Sequence, residues 1–321
     1  MHPQFRAWAQ LVRIPNTLTS CADVLAGFTL VVGAWWHISG IATSLIVVSA
    51  ASICQYWAGM VLNDVNDVDI DRAQRRNGPL VLGQITVGNA RIVGWVLLFG
   101  GVGLAGVSAF LLPSLDSSAP RWVVLILAAL LASTIVAYDS ALKAKPIGPL
   151  LMGLCRGLNL SVGISLGVCL SWPAELDWLS LFFATVGHVA FVTGITLAAR
   201  REGILHQSPV RLLASWSVSL YGVVMIALCS WWTIDRTLRL DPLTMYPLLV
   251  GLLALPWLRR AMVSIHAPGI GTLVPAIKQA ILTIIFLDAA IALQFGGNIP
   301  GMIVCGLAIP TLALSRIFRV T

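Results

Sequence analysis

Between Asn63 and Asp71 the chain reads Asn-Asp-Val-Asn-Asp-Val-Asp-Ile-Asp, directly after a long apolar segment. Four of the 13 acidic residues in the 321-residue chain fall inside this short run. Ionised side chains beside an apolar membrane segment are costly, and they usually face a wet cavity in which they have a function. This run is therefore the first place to look for chemistry.

The carboxylates in this run have helical spacing. Asp64, Asp67 and Asp71 follow an i, i+3, i+7 pattern, which on a helix places them within an arc of about 60°. Arg75 lies on the same stripe one turn later, whereas Asp69 points nearly the opposite way. Aligned carboxylates repel one another unless a cation lies between them. Their oxygens suit Mg²⁺, which commonly bridges carboxylates to a substrate phosphate.

Two other interpretations of the run compete with a Mg²⁺ site. The plainer one is a solvated helix end whose acidic residues are merely exposed. The other is a calcium loop, which needs glycine at its sixth position and glutamate at its twelfth. Counted from Asp64, those positions hold Asp69 and Arg75, so the calcium loop does not fit. We therefore expect a metal-binding wall of three aspartates, to which Asn63 adds a neutral amide.

The composition predicts that the whole chain lies in a membrane. Hydrophobic residues make up 58% and charged residues 10% of the chain, and the mean hydropathy is +0.90. Apolar runs of the roughly 20 residues needed to cross a bilayer recur along the chain. The candidate spans are 16–36, 42–62, 91–112, 121–139, 148–171, 177–199, 209–232, 243–260, 273–294 and 298–316. We expect an all-α, polytopic transmembrane helical bundle and one integral-membrane domain over residues 1–321.

Basic residues predict how the bundle is oriented. The loops on one side carry Arg6, Arg13, Arg72, Arg75, Arg76, Lys143, Lys145, Arg200 and Arg201. By the positive-inside rule this side, with the acidic run, is cytoplasmic. Arg236 and Arg239 fall on the other side if all ten segments cross, and the short 243–260 segment could instead be re-entrant or strongly tilted. The net charge of +7 is spread over short loops without a basic run that has interleaved aromatic residues. It therefore fits membrane orientation better than nucleic-acid binding, and we expect no nucleic-acid partner.

Cysteine and histidine show no metal-binding pattern in the sequence. The six cysteines occur singly without a CxxC pair, and the five histidines are dispersed. Isolated cysteines in apolar segments behave as small hydrophobic residues. The sequence therefore predicts that any metal is a hard ion held by oxygens.

Three groups of residues together resemble a known family. Asn63-Asp64-x-x-Asp67-x-x-x-Asp71, followed by Arg72-x-x-Arg75-Arg76-x-x-Pro79, resembles the first aspartate-rich motif of the UbiA superfamily of intramembrane aromatic prenyltransferases. The first span opens with Arg13-x-Pro15-Asn16, as those enzymes often do. Tyr138-x-x-x-x-Lys143-x-x-x-x-Gly148 resembles their second conserved loop, where Tyr and Lys approach the diphosphate. The resemblance covers nearly the whole chain.

This resemblance implies a fold, a reaction and a set of site residues. The fold would have about nine helices around a central cavity. The reaction would be the Mg²⁺-dependent transfer of a polyprenyl group from its diphosphate to a small lipophilic acceptor, aromatic or quinone-like, within the bacterial inner membrane. The implied catalytic residues are Asp64, Asp67, Asp71 and Lys143, the three aspartates being metal ligands. The implied substrate-binding residues are Asn16, Asn63, Arg72, Arg75 and Tyr138, and Tyr56 and Trp57 would face the allylic cation.

The chain departs from the family where a second motif, typically Asp-x-x-x-Asp, should follow the sixth span. Residues 196–203 read Thr-Leu-Ala-Ala-Arg-Arg-Glu-Gly, which leaves Glu202 as the remaining oxygen ligand for a metal. Arg200 and Arg201 could replace a second metal by direct contact with phosphate, because guanidinium groups match phosphate geometry. They could equally be ordinary positive-inside residues.

Short stretches look similar to a divergent branch, the UbiA-like EboC proteins, which are associated with gene clusters for trafficking or modifying prenylated metabolites. They are Met-Gly-Leu-Cys-Arg-Gly-Leu-Asn at 152–159, Leu-Ala-Ala-Arg-Arg-Glu at 197–202 and Leu-Ser-Arg-Ile-Phe-Arg-Val-Thr at 314–321. Arg156 and Asn159 lie one helical turn apart in the fifth span. They either pair with a carboxylate of the bundle or bind substrate oxygen. The alternative function is an altered membrane protein that binds or traffics an isoprenoid.

Overall fold

The computed structural model describes residues 2–74, 77–113, 120–171, 176–200, 208–233 and 238–318, and within these ranges it is helical without a strand. The helices are α1 (Pro3–Leu11), α2 (Thr17–Val32), α3 (Ile41–Ala73), α4 (Val87–Phe110), α5 (Trp122–Ala137), α6 (Gly148–Ser171), α7 (Trp178–Ala199), α8 (Pro209–Leu228), α9 (Met245–His266), α10 (Ile270–Gly296), α11 (Asn298–Gly306) and α12 (Ala308–Ile317). A 3₁₀ turn at Ile14–Asn16 precedes α2, and a π-helical turn at Tyr138–Leu142 follows α5. The predicted all-α fold is confirmed.

The described part of the chain contains nine segments that are long and apolar enough to cross a membrane. They are α3 to α10 and the α11–α12 pair, Asn298–Ile317. The predicted first span corresponds to α2, which has only 16 residues and lies almost wholly buried against α3, α6 and α10. The chain is an integral, multi-pass membrane protein in which a short helix occupies the interior of the bundle.

Three predicted spans differ from the helices that form. The second span does not stop at residue 62, because α3 continues through the acidic run to Ala73, as the helical spacing of the aspartates predicts. The short 243–260 segment is part of α9, a continuous 22-residue helix that contains Pro256, so the re-entrant alternative is wrong. The last span is interrupted at Leu307, between α11 and α12.

Two glycines let α2 and α6 approach until their backbones touch. A Cβ atom on Gly27 would collide with the carbonyl oxygen of Leu160, and one on Gly163 would collide with the carbonyl oxygen of Val24. Small residues at such contacts are the usual means of close helix packing in membranes. The contact holds the polar residues of α2 directly against those of α6.

The opposite side of the bundle is packed with aromatic side chains. Phe191 of α7 and Trp216 of α8 both meet Trp257 of α9 edge to face, with ring centroids 5.2 Å and 5.9 Å apart. Such pairs add about 0.5–1.5 kcal/mol each beyond the area that they bury. This cluster joins α7, α8 and α9 through aromatic contacts.

Candidate active site

The acidic run forms one wall at the end of α3. The side chains of Asp64 and Asp67 are each 23% exposed, whereas that of Asp69 is 89% exposed. Asp71 is half-buried and interacts electrostatically with Asp64. The helical register therefore sorts the four aspartates as the spacing predicts, with three on the inner face of α3 and one on the outer face. We call Asp64, Asp67 and Asp71 the acidic wall.

Two cationic side chains lie on the acidic wall. The ammonium of Lys143 donates a hydrogen bond to the Oδ1 atom of Asn63 at 2.8 Å and also contacts the Oδ2 atom of Asp67. Arg13 lies 3.5 Å from Asp64, whose Oδ1 atom also accepts a 3.4 Å hydrogen bond from Asn63. The structure thus brings Lys143 and Asn63, which are distant in sequence, into one site with the wall.

Arg13 reaches the wall from a constrained backbone. It is the one non-glycine residue with positive φ in the described part of the chain, at φ 52° and ψ 52°. A non-glycine residue in this left-handed region costs roughly 1–2 kcal/mol, and such strain gathers at functional sites. The turn that follows contains Asn16, whose carbonyl accepts a hydrogen bond from Thr19 at 2.7 Å. This turn places both motif residues, Arg13 and Asn16, at the start of α2.

The π-helical turn adds an acidic residue that the sequence reasoning missed. Asp139 is 6% exposed, and its Oδ2 atom is buried without a hydrogen-bond partner. Its carboxyl group interacts electrostatically with Lys143, Asp67 and Asp64. Asn66 holds the turn in place by donating to the backbone carbonyl of Asp139 at 3.0 Å. Asp139 is therefore a fourth acidic group facing the same site. In the sequence, Asp139 could have been recognised as a site residue because it is a carboxylate at the end of a predicted span and follows Tyr138 directly.

Arg200 contacts the loop that carries Lys143. Its guanidinium donates to the backbone carbonyl of Lys143, and to that of Lys145 at 2.8 Å. The loop comes this close because residue 148 is glycine, where a Cβ would collide with the Arg200 side chain. Arg200 thus joins the end of α7 to the Lys143 loop. We call this contact the Arg200 clamp.

The other predicted site residues are placed in different ways. Arg72 lies on the outer face of α3 and pairs with the exposed Asp69 at 3.1 Å, away from the wall. Tyr138 opens the π-helical turn and is half-buried. Trp57 donates from its indole nitrogen to the hydroxyl of Thr17 at 2.8 Å. Three further predicted residues lie outside the described ranges: Arg75, Arg201 and Glu202.

Arg156 and Asn159 lie in the interior of the bundle and bind a carboxylate. Arg156 is 2.5 Å from the Oδ2 atom of Asp23, and Asn159 donates to the same oxygen at 2.8 Å. Asn159 also accepts a hydrogen bond from Ser52 of α3 at 2.7 Å. Of the two roles considered for Arg156, the structure displays pairing with a carboxylate of the bundle. Tyr56 interacts electrostatically with both Arg13 and Arg156.

Comparison with protein families gives one match that covers most of the chain. The model of the UbiA prenyltransferase family matches residues 25–274. Among curated proteins, the digeranylgeranylglyceryl phosphate synthase of Sulfurisphaera tokodaii is 33% identical over 144 residues, which is 43% of this chain. The matched stretch spans 50% of that synthase.

Solved structures of UbiA homologues share the fold. The apo structure of a homologue from Aeropyrum pernix superposes with a TM-score of 0.61 at 20% identity, over 86% of this chain and 96% of that one. A homologue from Archaeoglobus fulgidus, solved with GPP and Mg²⁺, superposes with a TM-score of 0.57 at 14% identity, over 89% of this chain and 99% of that one. At these identities the likeness establishes the arrangement of helices and nothing finer.

Proposed function

Because the chain belongs to the UbiA prenyltransferase family, we propose that it transfers a polyprenyl group from its diphosphate to a small lipophilic acceptor in a Mg²⁺-dependent reaction. In this reaction the bond between the allylic carbon and the diphosphate breaks, a bond from that carbon to the acceptor forms, and the acceptor loses a proton. The observation that carries the proposal is the acidic wall, which joins three inward carboxylates with Lys143 and Arg13 at one end of the bundle.

The residues of the wall fit a magnesium ion. Asp64 and Asp67 are half-buried carboxylates that already attract cationic side chains, and the buried Asp139 has an oxygen without a hydrogen-bond partner. Hard oxygen ligands of this kind are what Mg²⁺ prefers. We assign Asp64, Asp67 and Asp71 as its ligands, with Glu202 as a further candidate. When bound, the ion supplies Lewis-acid neutralisation of the diphosphate charge.

The chain's own cations would bind and orient the leaving group. Lys143 is held at the wall by Asn63 and Asp67, so its ammonium is positioned for a charge-assisted hydrogen bond to a diphosphate oxygen. Arg13 approaches the wall from the turn between α1 and α2 and offers a guanidinium fork. Arg200 acts on Lys143 through the loop carbonyls, so we propose that it is a positioning residue. Asn16, Tyr138, Arg75 and Arg201 remain proposed contacts of the diphosphate.

The acceptor class is the finer part of the proposal. We propose an aromatic or quinone-like acceptor that reaches the site from the membrane. A second candidate follows from the relative whose name is digeranylgeranylglyceryl phosphate synthase, because that name describes prenyl groups on a glyceryl phosphate. The two classes differ in charge: a glyceryl phosphate carries an anionic headgroup that an aromatic ring lacks. They can therefore be distinguished by direct competition in one assay.

The test uses the purified full chain in lipid nanodiscs with Mg²⁺. Polyprenyl diphosphates of several lengths are offered together with acceptors of both classes, and products are identified by mass spectrometry. We expect product from the parent, and no detectable product from Asp64→Asn. The matched control is Asp69→Asn on the outer face of the same helix, which should keep full activity. Equal activity of parent and Asp64→Asn would overturn the proposed site.

The same experiment separates the enzyme from a protein that only binds or traffics an isoprenoid. A binder would retain Mg²⁺-dependent diphosphate affinity that Asp64→Asn removes, and it would form no product with any acceptor. The observation that favours this second candidate is the use of Arg200 on loop carbonyls at the place where the family has acidic residues.

We also propose that the protein lies in the bacterial inner membrane with the wall on the cytoplasmic side. The test replaces the six cysteines and introduces Asp69→Cys, whose side chain is at the exposed face of α3. A membrane-impermeant maleimide should label this cysteine in inverted vesicles and leave it unlabelled in intact spheroplasts. Labelling in intact spheroplasts would reverse the orientation.

A further inference from the structure

Three residues from three helices form a second charged group that the reaction above does not use. They are Asp23 of α2, His188 of α7 and Asp288 of α10, which are 0%, 2% and 0% exposed. One ligand atom of each lies within 4.8 Å of the others. No local pattern joins them, because each is 100 or more residues from the others in the chain. We call this group the interior triad.

The hydrogen bonds of His188 fix which of its nitrogens carries the proton when the ring is neutral. Its Nδ1 atom lies 2.8 Å from the carbonyl oxygen of Ala184. A carbonyl can only accept, so Nδ1 carries the proton and donates. The Nε2 atom lies 2.8 Å from the Oδ1 atom of Asp288. For neutral imidazole this contact places a nitrogen lone pair against a carboxylate, a repulsion that either a proton or a metal ion beside them relieves.

Each carboxylate of the triad has one oxygen held and one oxygen unsatisfied. The Oδ2 atom of Asp23 accepts from Arg156 and Asn159, and the Oδ1 atom of Asp288 faces His188. The remaining oxygens, Oδ1 of Asp23 and Oδ2 of Asp288, are buried without a hydrogen-bond partner. Leaving a buried acceptor unpaired destabilises the fold, and more so when the group is charged. Two such oxygens beside an imidazole nitrogen indicate that the triad takes a ligand.

We propose that the interior triad binds a divalent transition-metal ion. Two carboxylates and one imidazole are ligands for Mn²⁺, Fe²⁺, Co²⁺ or Zn²⁺, whereas Mg²⁺ and Ca²⁺ prefer oxygen alone. The surroundings match those of metal ligands, which are held by a second layer of hydrogen bonds. Ala184 fixes the imidazole, and Arg156 and Asn159 fix Asp23. This inference does not depend on prenyl transfer.

The distances and charges are compatible with one ion. Because N and O ligands lie about 2.0–2.2 Å from a dication, two ligands of one ion are at most about 4.4 Å apart. The ligand atoms of the triad, within 4.8 Å of one another, need to close by only a few tenths of an ångström. With neutral His188, the two carboxylates and Arg156 sum to one negative charge. A dication makes this one positive charge, and its open positions can take an anionic oxygen.

The experiment measures binding of the metal ion alone, without a prenyl substrate. Purified full-length protein carrying Asp64→Asn and Asp67→Asn, which disable the acidic wall, is stripped with chelator and titrated with CoCl₂. We expect one Co²⁺ per chain, with visible absorption bands typical of nitrogen and oxygen ligation. In this background His188→Gln and Asp288→Asn should lower the affinity by more than about 100-fold, because even second-layer changes cost 10–100-fold.

His266 provides a matched control. Its Nδ1 atom also bonds the carbonyl four residues earlier, that of Met262 at 2.8 Å, but the ring is exposed. His266→Gln should therefore leave Co²⁺ binding unchanged. Asn159→Ser, which removes a hydrogen bond to Asp23 but no ligand, should weaken binding about 10–100-fold. Monodisperse elution and unchanged helical circular dichroism identify variants that remain folded.

A different state of the triad would overturn the inference. The alternative is a proton shared by His188 and Asp288 that balances the charges. In that case the folded Asp64→Asn/Asp67→Asn protein, with its triad intact, will bind no Co²⁺. Co²⁺ binding that survives His188→Gln unchanged would overturn it equally, because the ion would then be held elsewhere.

Discussion

The acidic wall and the interior triad with Arg156 contain the same kinds of groups, carboxylates facing cationic side chains, but they differ in exposure and in origin. The wall comes from one helix, and its Asp64 and Asp67 side chains are 23% exposed. The triad comes from three helices and is almost fully buried. Exposed ion pairs contribute about 0–1 kcal/mol, whereas removing one partner of a buried pair costs about 3–5 kcal/mol.

The difference indicates separate roles for the two regions. Because pairing at the wall is weak, Lys143 and Arg13 can exchange a carboxylate for a ligand at little cost. The Asp23–Arg156 pair cannot open without a large loss, so it holds α2 and α6 in a fixed relation. We therefore expect variants of the wall to lose activity while keeping stability, and variants around the triad to lose stability.

The largest expected effect is on the buried pair. Arg156→Met leaves the carboxylate of Asp23 buried without its cation, and should lower the free energy of unfolding by about 3–5 kcal/mol. Equilibrium unfolding in mixed micelles measures the change. The double variant Asp23→Asn/Arg156→Met should regain part of it, because the buried charge is then absent. If Arg156→Met unfolds like the parent, the assigned difference between the two regions is wrong.

Asp67→Asn tests whether a variant of the acidic wall loses activity while keeping its stability. We expect turnover to fall by about 10²–10³-fold, the loss that follows removal of one preorganised group that stabilises charge. The free energy of unfolding should change little, since the carboxylate is partly exposed and its partner Lys143 can reach water. Chelation of Mg²⁺ with EDTA should abolish turnover in the parent without unfolding it. Product formation that persists in EDTA would contradict the role given to the wall.

Gly163→Ala tests whether backbone contact sets the geometry around the triad. The added methyl group would collide with the carbonyl of Val24, so α2 and α6 must separate. We expect a loss of about 1–3 kcal/mol, as for other overpacked sites, together with weaker Co²⁺ binding. Gly251→Ala is the control, because a Cβ at that position has open space around it. Equal unfolding of both variants would show that the close contact is not limiting.

The smallest effect is expected for the exposed pair on the outer face of α3. Arg72→Met removes the partner of Asp69, and the unfolding free energy should change by no more than about 0.5 kcal/mol. Diphosphate affinity should also be unchanged, because this pair faces away from the wall. A clear loss of diphosphate affinity would place Arg72 at the substrate, as the resemblance implied.

The sequence predicts the wall well because its signal is local. The helical spacing of the three aspartates predicts that they share one face of a helix, whatever the rest of the fold. The motif that contains Lys143 identifies the cation of the same site. Asp139 and the Arg200 clamp were missed because both depend on the loop conformation after α5. The triad could not be assembled, since Asp23, His188 and Asp288 come from three separate apolar segments.

The dispersed histidines led to the expectation that no imidazole would take part in a metal site, and the proposed triad differs from that expectation. Spacing in a sequence detects ligands that share one element, but a helical bundle brings together residues from several helices. The useful signal was the presence of an ionisable residue inside a membrane span, which is costly unless it has a partner or a function. Applied to His188 and Asp288, that rule would have marked both for attention.

The Arg200 clamp connects the end of α7 to the loop that carries Lys143, and α7 also carries His188. His188 and Arg200 are on one helix, 12 residues and about 18 Å apart along its axis. A shift of α7 that accompanies ligand binding at His188 would move the loop carbonyls held by Arg200, and Lys143 with them. Linkage is reciprocal. If metal binding at the triad changes the affinity for diphosphate by some factor, diphosphate binding would change the affinity of the triad for the metal by the same factor. Arg200→Met would then uncouple two binding equilibria without removing a ligand from either.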